Sequence, residues 1–350
     1  MPSSAEIVWQ LLYSALTGLP VADRLLDDCS DEDWQQVFDL ARTNRVTALC
    51  SQMVSGLPTD RRPSRILWLR WLGLHGLVEQ QGRHKNQVAH ELCDHMRQHG
   101  IETVVLKGPR LAACYPNPAL REYDDLDLYH LGRHREADQV VREILQTEVN
   151  TSDPHHSTYC YRGVNVENHY TFIHNRHAPS MLRTEQILHD WAPSADFDAL
   201  YLLCHAASHF AASRITLRHA CDWSAFVRRH HDAVDWGRIQ QQLKQTGMMP
   251  FAATLHRIAV ERLGAPVIDE MEGPAANDSL TARIVNDLTY GEFGQPSHPR
   301  SGIFRAAWKW RRYQANRWKR QIVYRDSEAV MLLRGVADNL RHPGRITRKH

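Results

Sequence analysis

Residues 104–131 constrain the fold most, because they contain a charged turn that lies between two segments with the composition of β-strands. Residues 101–106 are mostly apolar and predict a buried strand. A Lys-Gly-Pro-Arg turn follows at residues 107–110, and residues 123–131 predict a second strand. The sequence therefore predicts a strand, a short helix and another strand in close succession.

The turn has the composition of an anion site. Pro109 suits the first position of a helix, where its missing N–H costs nothing, and Gly108 lets the backbone approach a ligand closely. A helix N-terminus with Lys107 beside it attracts phosphate. The prolines that follow cannot continue the helix, which we expect to end near Tyr115. For Lys107 the alternative is a salt bridge to a core carboxylate.

The second predicted strand carries two carboxylates on one face. Strand alternation puts Asp125 and Asp127 on the same side and Leu126 on the other, while the adjacent Asp124 points away from the pair. Two carboxylates about 7 Å apart along a strand form a clamp for a divalent cation. The alternative is a charged strand edge that only prevents aggregation. We predict that Asp125 and Asp127 are metal ligands.

A third acid follows in a predicted hairpin. Residues 159–170 predict two short strands that turn at Gly163, and Glu167 lies in the second of them. From a neighbouring strand about 5 Å away, Glu167 would complete the metal site. The loop before this hairpin contains His155 and His156, which are either solvated or close over the site.

One set of residues carries a family resemblance: Leu106, Lys107, Gly108, Arg121, Asp125, Asp127, Glu167 and His169. In this order they resemble the uncharacterised nucleotidyltransferase family of the DNA polymerase β-like superfamily, over roughly residues 30–230. A later segment with Leu217, Arg218 and Asp222, which follows a His-rich helix, is similar to that family too. The chain departs from the wider superfamily in having Lys-Gly where Gly-Ser usually precedes the acids.

The resemblance implies an α+β fold in which a small mixed sheet is flanked by helical regions. It also implies transfer of a nucleoside monophosphate from a nucleoside triphosphate, ATP among them, with release of pyrophosphate. Asp125, Asp127 and Glu167 would hold two Mg²⁺ (or Mn²⁺) ions, with Glu167 a candidate base towards the acceptor. The triphosphate contacts would come from Lys107, Gly108, Arg110 and Arg121, although Arg121 could instead orient an aspartate.

The acceptor stays open: a small molecule such as an antibiotic or sugar, a peptide, a protein side chain or a nucleic-acid end. Three other functions compete with transfer. One is an idle nucleotide-binding protein, and another is a nucleic-acid-binding protein. The third is a metal-dependent phosphohydrolase that uses His205, His209 and Asp222. His205 and His209 lie four residues apart on one predicted helix face, so they could also line the nucleotide pocket or simply be buried.

The sequence divides into four predicted parts. Residues 1–98 predict an N-terminal helical bundle with a packing role, and residues 99–178 predict the nucleotidyltransferase core. Residues 179–295 return to helix, and residues 296–350 form a basic tail rich in Trp and Arg.

The tail differs in charge from the rest of the chain. From Arg300 onwards it has 14 Lys and Arg residues against 3 Asp and Glu residues. Basic residues alternate with aromatic ones over 308–313 and 317–320, which fits nucleic-acid binding by phosphate contact and stacking. The alternative is a terminal helix whose aromatic side chains pack on the acidic body of the protein.

Composition excludes several other classes. No run of eighteen apolar residues exists to span a membrane, and residues 1–18 lack the basic start of a signal peptide. The seven cysteines are scattered without a Cys-x-x-Cys pair, as expected of reduced thiols rather than a disulfide framework. We therefore expect a cytoplasmic protein without a transmembrane segment.

Overall fold

The structure is a computed structural model, and it describes residues 3–22, 25–27, 29–173, 177–273, 277–291 and 302–341. Within these residues the chain forms fifteen α-helices and one four-stranded mixed sheet, which confirms the predicted α+β class. The strands are β1 (Val104–Val105), β2 (Asp125–Tyr129), β3 (His156–Tyr161) and β4 (Val164–His169).

The chain before the sheet is helical, as predicted. Ser3 caps the first helix by accepting a hydrogen bond from the Glu6 amide, and Ser30 caps the second in the same way through Asp33. The last of these helices is uninterrupted over 34 residues. These helices are α1 (Ser4–Thr17), α2 (Asp31–Thr43), α3 (Thr47–Ser55) and α4 (Arg65–Gln98).

The remaining helices lie between and after the strands. Within the sheet region are α5 (Pro109–Ala112) and α6 (His134–Glu143). After the sheet come α7 (Pro179–Trp191), α8 (Ala195–Ala212), α9 (Leu217–His230), α10 (Trp236–Thr246), α11 (Met249–Leu263) and α12 (Asp278–Thr289). The last three are α13 (Gly302–Ala315), α14 (Arg317–Val323) and α15 (Glu328–Arg341).

The strands are arranged in the order β1-β2-β4-β3. β1 is antiparallel to β2, β2 is parallel to β4, and β3 and β4 form an antiparallel hairpin. The predicted first strand, residues 101–106, is shorter than expected. It lies at the sheet edge and pairs on one side alone, so only residues 104 and 105 join the ladder. The parallel β2–β4 pair then fixes which side chains meet across the sheet.

The two faces of the sheet have different surroundings. Leu126 and Leu128 are fully buried in a cluster with Val166 of β4, Leu92 of α4 and Val141 of α6. Each leucine contributes about 1.5–3 kcal/mol by leaving water. The alternation of β2 turns Asp125 and Asp127 to the opposite face, as predicted. Burial of the apolar face therefore fixes the acids on the other.

Helices from before and after the sheet share one hydrophobic core. Trp9 of α1 donates its indole N–H to the Thr289 hydroxyl at 3.3 Å, and Asn44 donates to the Thr289 carbonyl at 3.0 Å. One cluster of buried residues contains both Leu11 of α1 and Leu255 of α11. The N-terminal helices therefore pack on the C-terminal ones, while the four-part division of the sequence stays a prediction.

Candidate metal and phosphate site

The three predicted metal ligands lie together on one face of the sheet. In the parallel pairing of β2 with β4, Asp127 is directly opposite Glu167. Asp125 precedes Asp127 by two residues and shares its face. One carboxylate oxygen from each of the three residues lies within 4.8 Å of the other two. The sequence therefore predicted this grouping of acids correctly, and carboxylate oxygens are the ligands that Mg²⁺ prefers.

Two cations already contact Asp127, which is buried at 2 % exposure. The Lys107 ammonium lies 3.2 Å from Oδ2, and Nε2 of His169 lies 2.9 Å from Oδ1. Burial alone would raise the pKa of Asp127, but the charge of Lys107 and the hydrogen bond from His169 hold that pKa well below its usual range. Asp127 is therefore an ionised carboxylate whose negative charge is balanced by Lys107 and His169.

The other members of the cluster are perturbed in different directions. Burial, together with the nearby charge of Asp127, raises the pKa of Asp125. The hydrogen bond from His169 lowers the pKa of Glu167. Burial alone would lower the pKa of His169, but its hydrogen bonds to Asp127 and Glu167 outweigh burial and raise that pKa to about 9. Of the three acids, Asp125 is therefore the only one whose pKa is raised, because its positive neighbours do not offset its burial.

The Lys-Gly turn brings Lys107 to the acids directly after β1. The Leu106 amide donates to the Asp127 carbonyl at 3.0 Å, which aligns the turn with the middle of β2. Gly108 has φ of +52°, a backbone conformation that L side chains rarely adopt, so this position favours glycine. The predicted turn and helix start at Pro109 are confirmed, although α5 is only four residues long.

Arg121 is in a buried ion pair and lines the same cavity as Lys107 and the acids. Its Nε lies 2.6 Å from Oδ1 of Asp222, and its Nη2 lies 2.9 Å from Oδ2. The Tyr115 hydroxyl donates to Oδ1 of the same carboxylate at 2.6 Å. Of the two roles that the sequence left open, this geometry matches the one that orients an aspartate, and a phosphate contact by Arg121 stays a prediction.

Arg110 lies in a neighbouring cavity. Its guanidinium binds both carboxylate oxygens of Asp198 on α8, the shorter contact being 2.6 Å. Leu111 and Leu202 line both this cavity and the one that contains the acids, so their side chains separate the two. A role for Arg110 in nucleotide binding stays a prediction.

The adjacent acid, Asp124, does point away from the cluster. Its carboxylate pairs with Arg45 at 2.5 Å, and two thirds of its side chain is exposed. The sequence prediction that Asp124 is not part of the acidic group is consistent with this placement.

Three histidines lie above Lys107. Nε2 of His205 is 2.9 Å from the Lys107 ammonium and 3.2 Å from Nε2 of His209, and the His219 ring stacks 6.0 Å from that of His205. Burial first, and then the charge of Lys107, lowers the pKa of His209 to about 4. The predicted shared face of His205 and His209 is therefore confirmed. His219 was missed in the sequence, because the residue lies in the first turn of a different helix, α9.

The proposed histidine–aspartate metal site is not assembled. Asp222 contacts Arg121 and Tyr115 rather than His205 or His209. Among the described residues, neither group of three or more clustered metal-ligating side chains contains these histidines. The structure thus gives the phosphohydrolase alternative no ligand set.

Arg218 is a third cationic side chain of the acidic cavity, beside Lys107 and Arg121. It lines the same cavity as Lys107, Asp125 and Asp127, and it donates from Nη1 to the Glu122 carbonyl at 2.9 Å. Its Nε is buried with no hydrogen-bond partner in the described part of the chain. The sequence marked Arg218 only as part of a family segment, since its approach to the acids depends on the packing of α9.

His156 lies in a strand rather than in the predicted loop. It begins β3 and pairs with His169 across the hairpin, with its Nε2 3.9 Å from Oε1 of Glu167. His155 turns away, and its Nδ1 is 2.9 Å from the Thr171 hydroxyl. The solvated-loop interpretation is therefore wrong for His156, because the hairpin extends further back than predicted.

The tail packs on the body where its side chains are described. Lys319 is fully buried and lies 2.6 Å from Asp287, while the Trp318 ring meets Phe210 edge-on at 5.4 Å. Arg320 pairs with Glu328 and covers the Tyr313 ring. Residues 296–301 and 342–350 lie outside the described residues. The packing alternative therefore accounts for the segment around 317–320.

The helices and cysteines add two observations. None of the helices in the described ranges is long and apolar enough to cross a membrane. All seven cysteines are free thiols.

The fold and the site define an α+β protein with three clustered carboxylates beside a Lys-Gly turn. A family model described as an uncharacterised nucleotidyltransferase matches residues 30–264, more than half of the chain. The chain therefore belongs to this nucleotidyltransferase family, which confirms the resemblance seen in its motifs. No curated protein and no solved structure gives a significant match.

Proposed function

We propose that the protein transfers a nucleoside monophosphate from a nucleoside triphosphate to an acceptor nucleophile and releases pyrophosphate. One observation carries the proposal: Asp125, Asp127 and Glu167 present oxygens within 4.8 Å of one another, beside the ammonium of Lys107. Membership in a nucleotidyltransferase family supports the reaction class.

The donor set fits Mg²⁺ or Mn²⁺. All three side chains offer carboxylate oxygens, and the raised pKa of Asp125 reflects burial and a like charge that a cation would relieve. Asp125 and Asp127 hold the ions, with Glu167 as the third ligand from the neighbouring strand. Divalent ions in such a site neutralise phosphate charge and stabilise the entering and leaving oxygens.

The chain's own groups bind and orient the triphosphate. Lys107 and Arg218 line the same cavity as the acids and face the phosphates as cations. Gly108 lets the backbone approach without a side chain in the way. Glu167, whose pKa is lowered by His169, is an ionised carboxylate suited to accept the proton of an acceptor hydroxyl.

A pyrophosphate-release assay with intact-mass detection tests the reaction. Wild type and the Asp125→Asn/Asp127→Asn variant are each incubated with Mg²⁺ and one of the four ribonucleoside triphosphates. We expect metal-dependent release with wild type and none with the variant. Asp124→Asn is the matched control, because Asp124 neighbours the acids but pairs with Arg45 outside the cluster. Equal release from all three proteins would refute the assignment.

A second candidate is a nucleotide-binding protein that does not catalyse transfer. The observation that favours it is the contact of Asp127 with Lys107 and His169, which compensates this acid without a metal. Such a protein would bind Mg²⁺–nucleotide without releasing pyrophosphate in the presence of any acceptor. A binding titration run beside the release assay separates the two functions.

A further inference from the structure

A second set of metal-ligating side chains surrounds Glu167 on the side away from Asp125. His156 of β3 pairs with His169 of β4, and Glu167 lies two residues before His169 on the same face. Nε2 of His169 is 3.3 Å from Oε2 of Glu167, and Nε2 of His156 is 3.9 Å from Oε1. One ligand atom of each residue lies within 4.8 Å of the other two.

In both histidines the second ring nitrogen, Nδ1, faces an oxygen atom, although only His169 makes a hydrogen bond there. A ligating histidine usually directs its second ring nitrogen to a carboxylate or a backbone carbonyl. Nδ1 of His169 lies 3.4 Å from the Thr171 carbonyl, and Nδ1 of His156 lies 3.9 Å from Oδ1 of Asp153. In each case Nε2 is the nitrogen that faces Glu167.

The ring of His156 packs against that of His169, with the two centroids 5.3 Å apart. Its Nδ1 is buried and makes no hydrogen bond within the ranges that the structure describes, although Asp153 is near. A buried polar atom left in this way costs about 1–3 kcal/mol. An ion bound at Nε2 would place the ring proton on Nδ1, the nitrogen that faces Asp153.

We propose that His156, Glu167 and His169 bind one divalent first-row transition-metal ion, with Zn²⁺ as the best match. Two imidazole nitrogens and a carboxylate are typical ligands of Zn²⁺, whereas Mg²⁺ prefers oxygen alone. Oδ1 of Asp127 lies 2.9 Å from Nε2 of His169, but Asp127 belongs only to the all-oxygen group. Glu167 belongs both to the group with the two histidines and to the all-oxygen group. The site is therefore distinct in chemistry from the magnesium site and adjacent to it.

The competing explanation is purely structural. In it His169 acts as a permanent cation between Asp127 and Glu167, and His156 only packs beside it. The two explanations differ in what His156 contributes, because a packing residue adds nothing to zinc affinity.

Zinc affinity measured by competition with a chromophoric chelator tests the site. His156→Ala should weaken Zn²⁺ binding at least tenfold, and His156→Cys, which supplies a thiolate ligand, should recover most of the loss. His155→Ala is the matched control, since this neighbouring histidine faces Thr171, and it should leave the affinity unchanged. Equal zinc affinity in wild type and His156→Ala, or equal losses in the two alanine variants, would overturn the proposal.

Two further measurements keep the result interpretable. Thermal melting of the metal-free proteins shows whether His156→Ala still folds. If it does not, zinc affinity is compared between wild type and His156→Cys instead. Asp125→Asn should lower Mg²⁺ affinity but change Zn²⁺ affinity less than threefold, because Asp125 belongs only to the all-oxygen group. Zinc binding that falls as far in Asp125→Asn as in His156→Ala would mean a single site. The readout is binding, so it is independent of whether nucleotidyl transfer occurs.

Discussion

The ammonium of Lys107 lies 3.2 Å from Oδ2 of Asp127, so a residue predicted to bind phosphate is paired with an acid predicted to bind metal. The sequence offered phosphate binding and a salt bridge as alternatives for Lys107. A metal ion at Asp127 would compete with the ammonium for the same oxygen. Under the proposed function, the lysine would pair with the acid when metal is absent and face the triphosphate when metal is bound.

Lys107→Met tests this competition. The metal-free variant should lose about 1–3 kcal/mol of unfolding free energy, because a buried carboxylate keeps only one of its two cations. Mg²⁺ should stabilise the variant more than wild type, since the ion no longer displaces an ammonium. Urea unfolding with and without Mg²⁺ measures both effects, with Lys107→Arg as the charge-preserving control. A smaller Mg²⁺ effect in the methionine variant would contradict the competition.

The Arg121–Asp222 pair should be a major contributor to stability. Both side chains are buried, and Asp222→Asn leaves the guanidinium without its charge partner, so we expect a loss of about 3–5 kcal/mol. The Arg110–Asp198 pair has a 40 % exposed arginine, and Arg110→Met should cost no more than about 1 kcal/mol. Denaturant unfolding of the two variants compares them directly. Similar losses in both would contradict the burial argument.

Stability should fall as the pH drops from about 6.5 to 4, in part because of His256. Burial lowers the pKa of His256 to about 4 from an ordinary 6.5, so the unfolded chain takes up a proton in this range that the folded protein does not. His256→Gln should flatten the decline by up to about 3 kcal/mol. Unfolding curves across this range measure the slope, and replacement of the exposed His90 is the control. An unchanged slope in His256→Gln would refute the assignment.

Replacement of two tail tryptophans by alanine should affect the stability of the protein to very different extents. Trp318 packs against Phe210 under the guanidinium of Arg283, so Trp318→Ala should cost about 2 kcal/mol or more. Trp310 is 56 % exposed, and Trp310→Ala should change stability by less than about 0.5 kcal/mol. Thermal melting measures both. A stable Trp310→Ala protein that loses affinity for single-stranded nucleic acid would instead support the nucleic-acid alternative for the tail.

Local sequence patterns predicted the parts of the fold that depend on neighbours in the chain. The turn at Gly163 and the two-residue alternation of β2 both follow from residues close in sequence. Asp127 and Glu167 are 40 residues apart, and their cluster was predicted by placing Glu167 on a strand next to that of Asp127, which the β2–β4 pairing confirms. The predicted strand at residues 101–106 was too long because its length depends on the partner strand.

Contacts between distant segments were not predictable in this way. Arg121 meets Asp222 across 101 residues of sequence, and Lys107 meets His205 across 98. The phosphohydrolase alternative grouped Asp222 with the histidines of α8, because Asp222 lies in the next helical segment. In the structure, the packing of α9 turns Asp222 towards Arg121 instead. Helix packing decides such contacts, and no local pattern encodes it.

The most direct test of the central claim is the Mg²⁺ dependence of nucleotide affinity in three proteins: wild type, Asp127→Asn and Asp124→Asn. Each is titrated with the nucleoside triphosphate that wild type binds best, in Mg²⁺ and again in a chelator. We predict that Mg²⁺ strengthens binding at least tenfold in wild type and Asp124→Asn and has no effect in Asp127→Asn. The same Mg²⁺ enhancement in Asp127→Asn as in wild type would show that Asp127 is not part of the metal–nucleotide site.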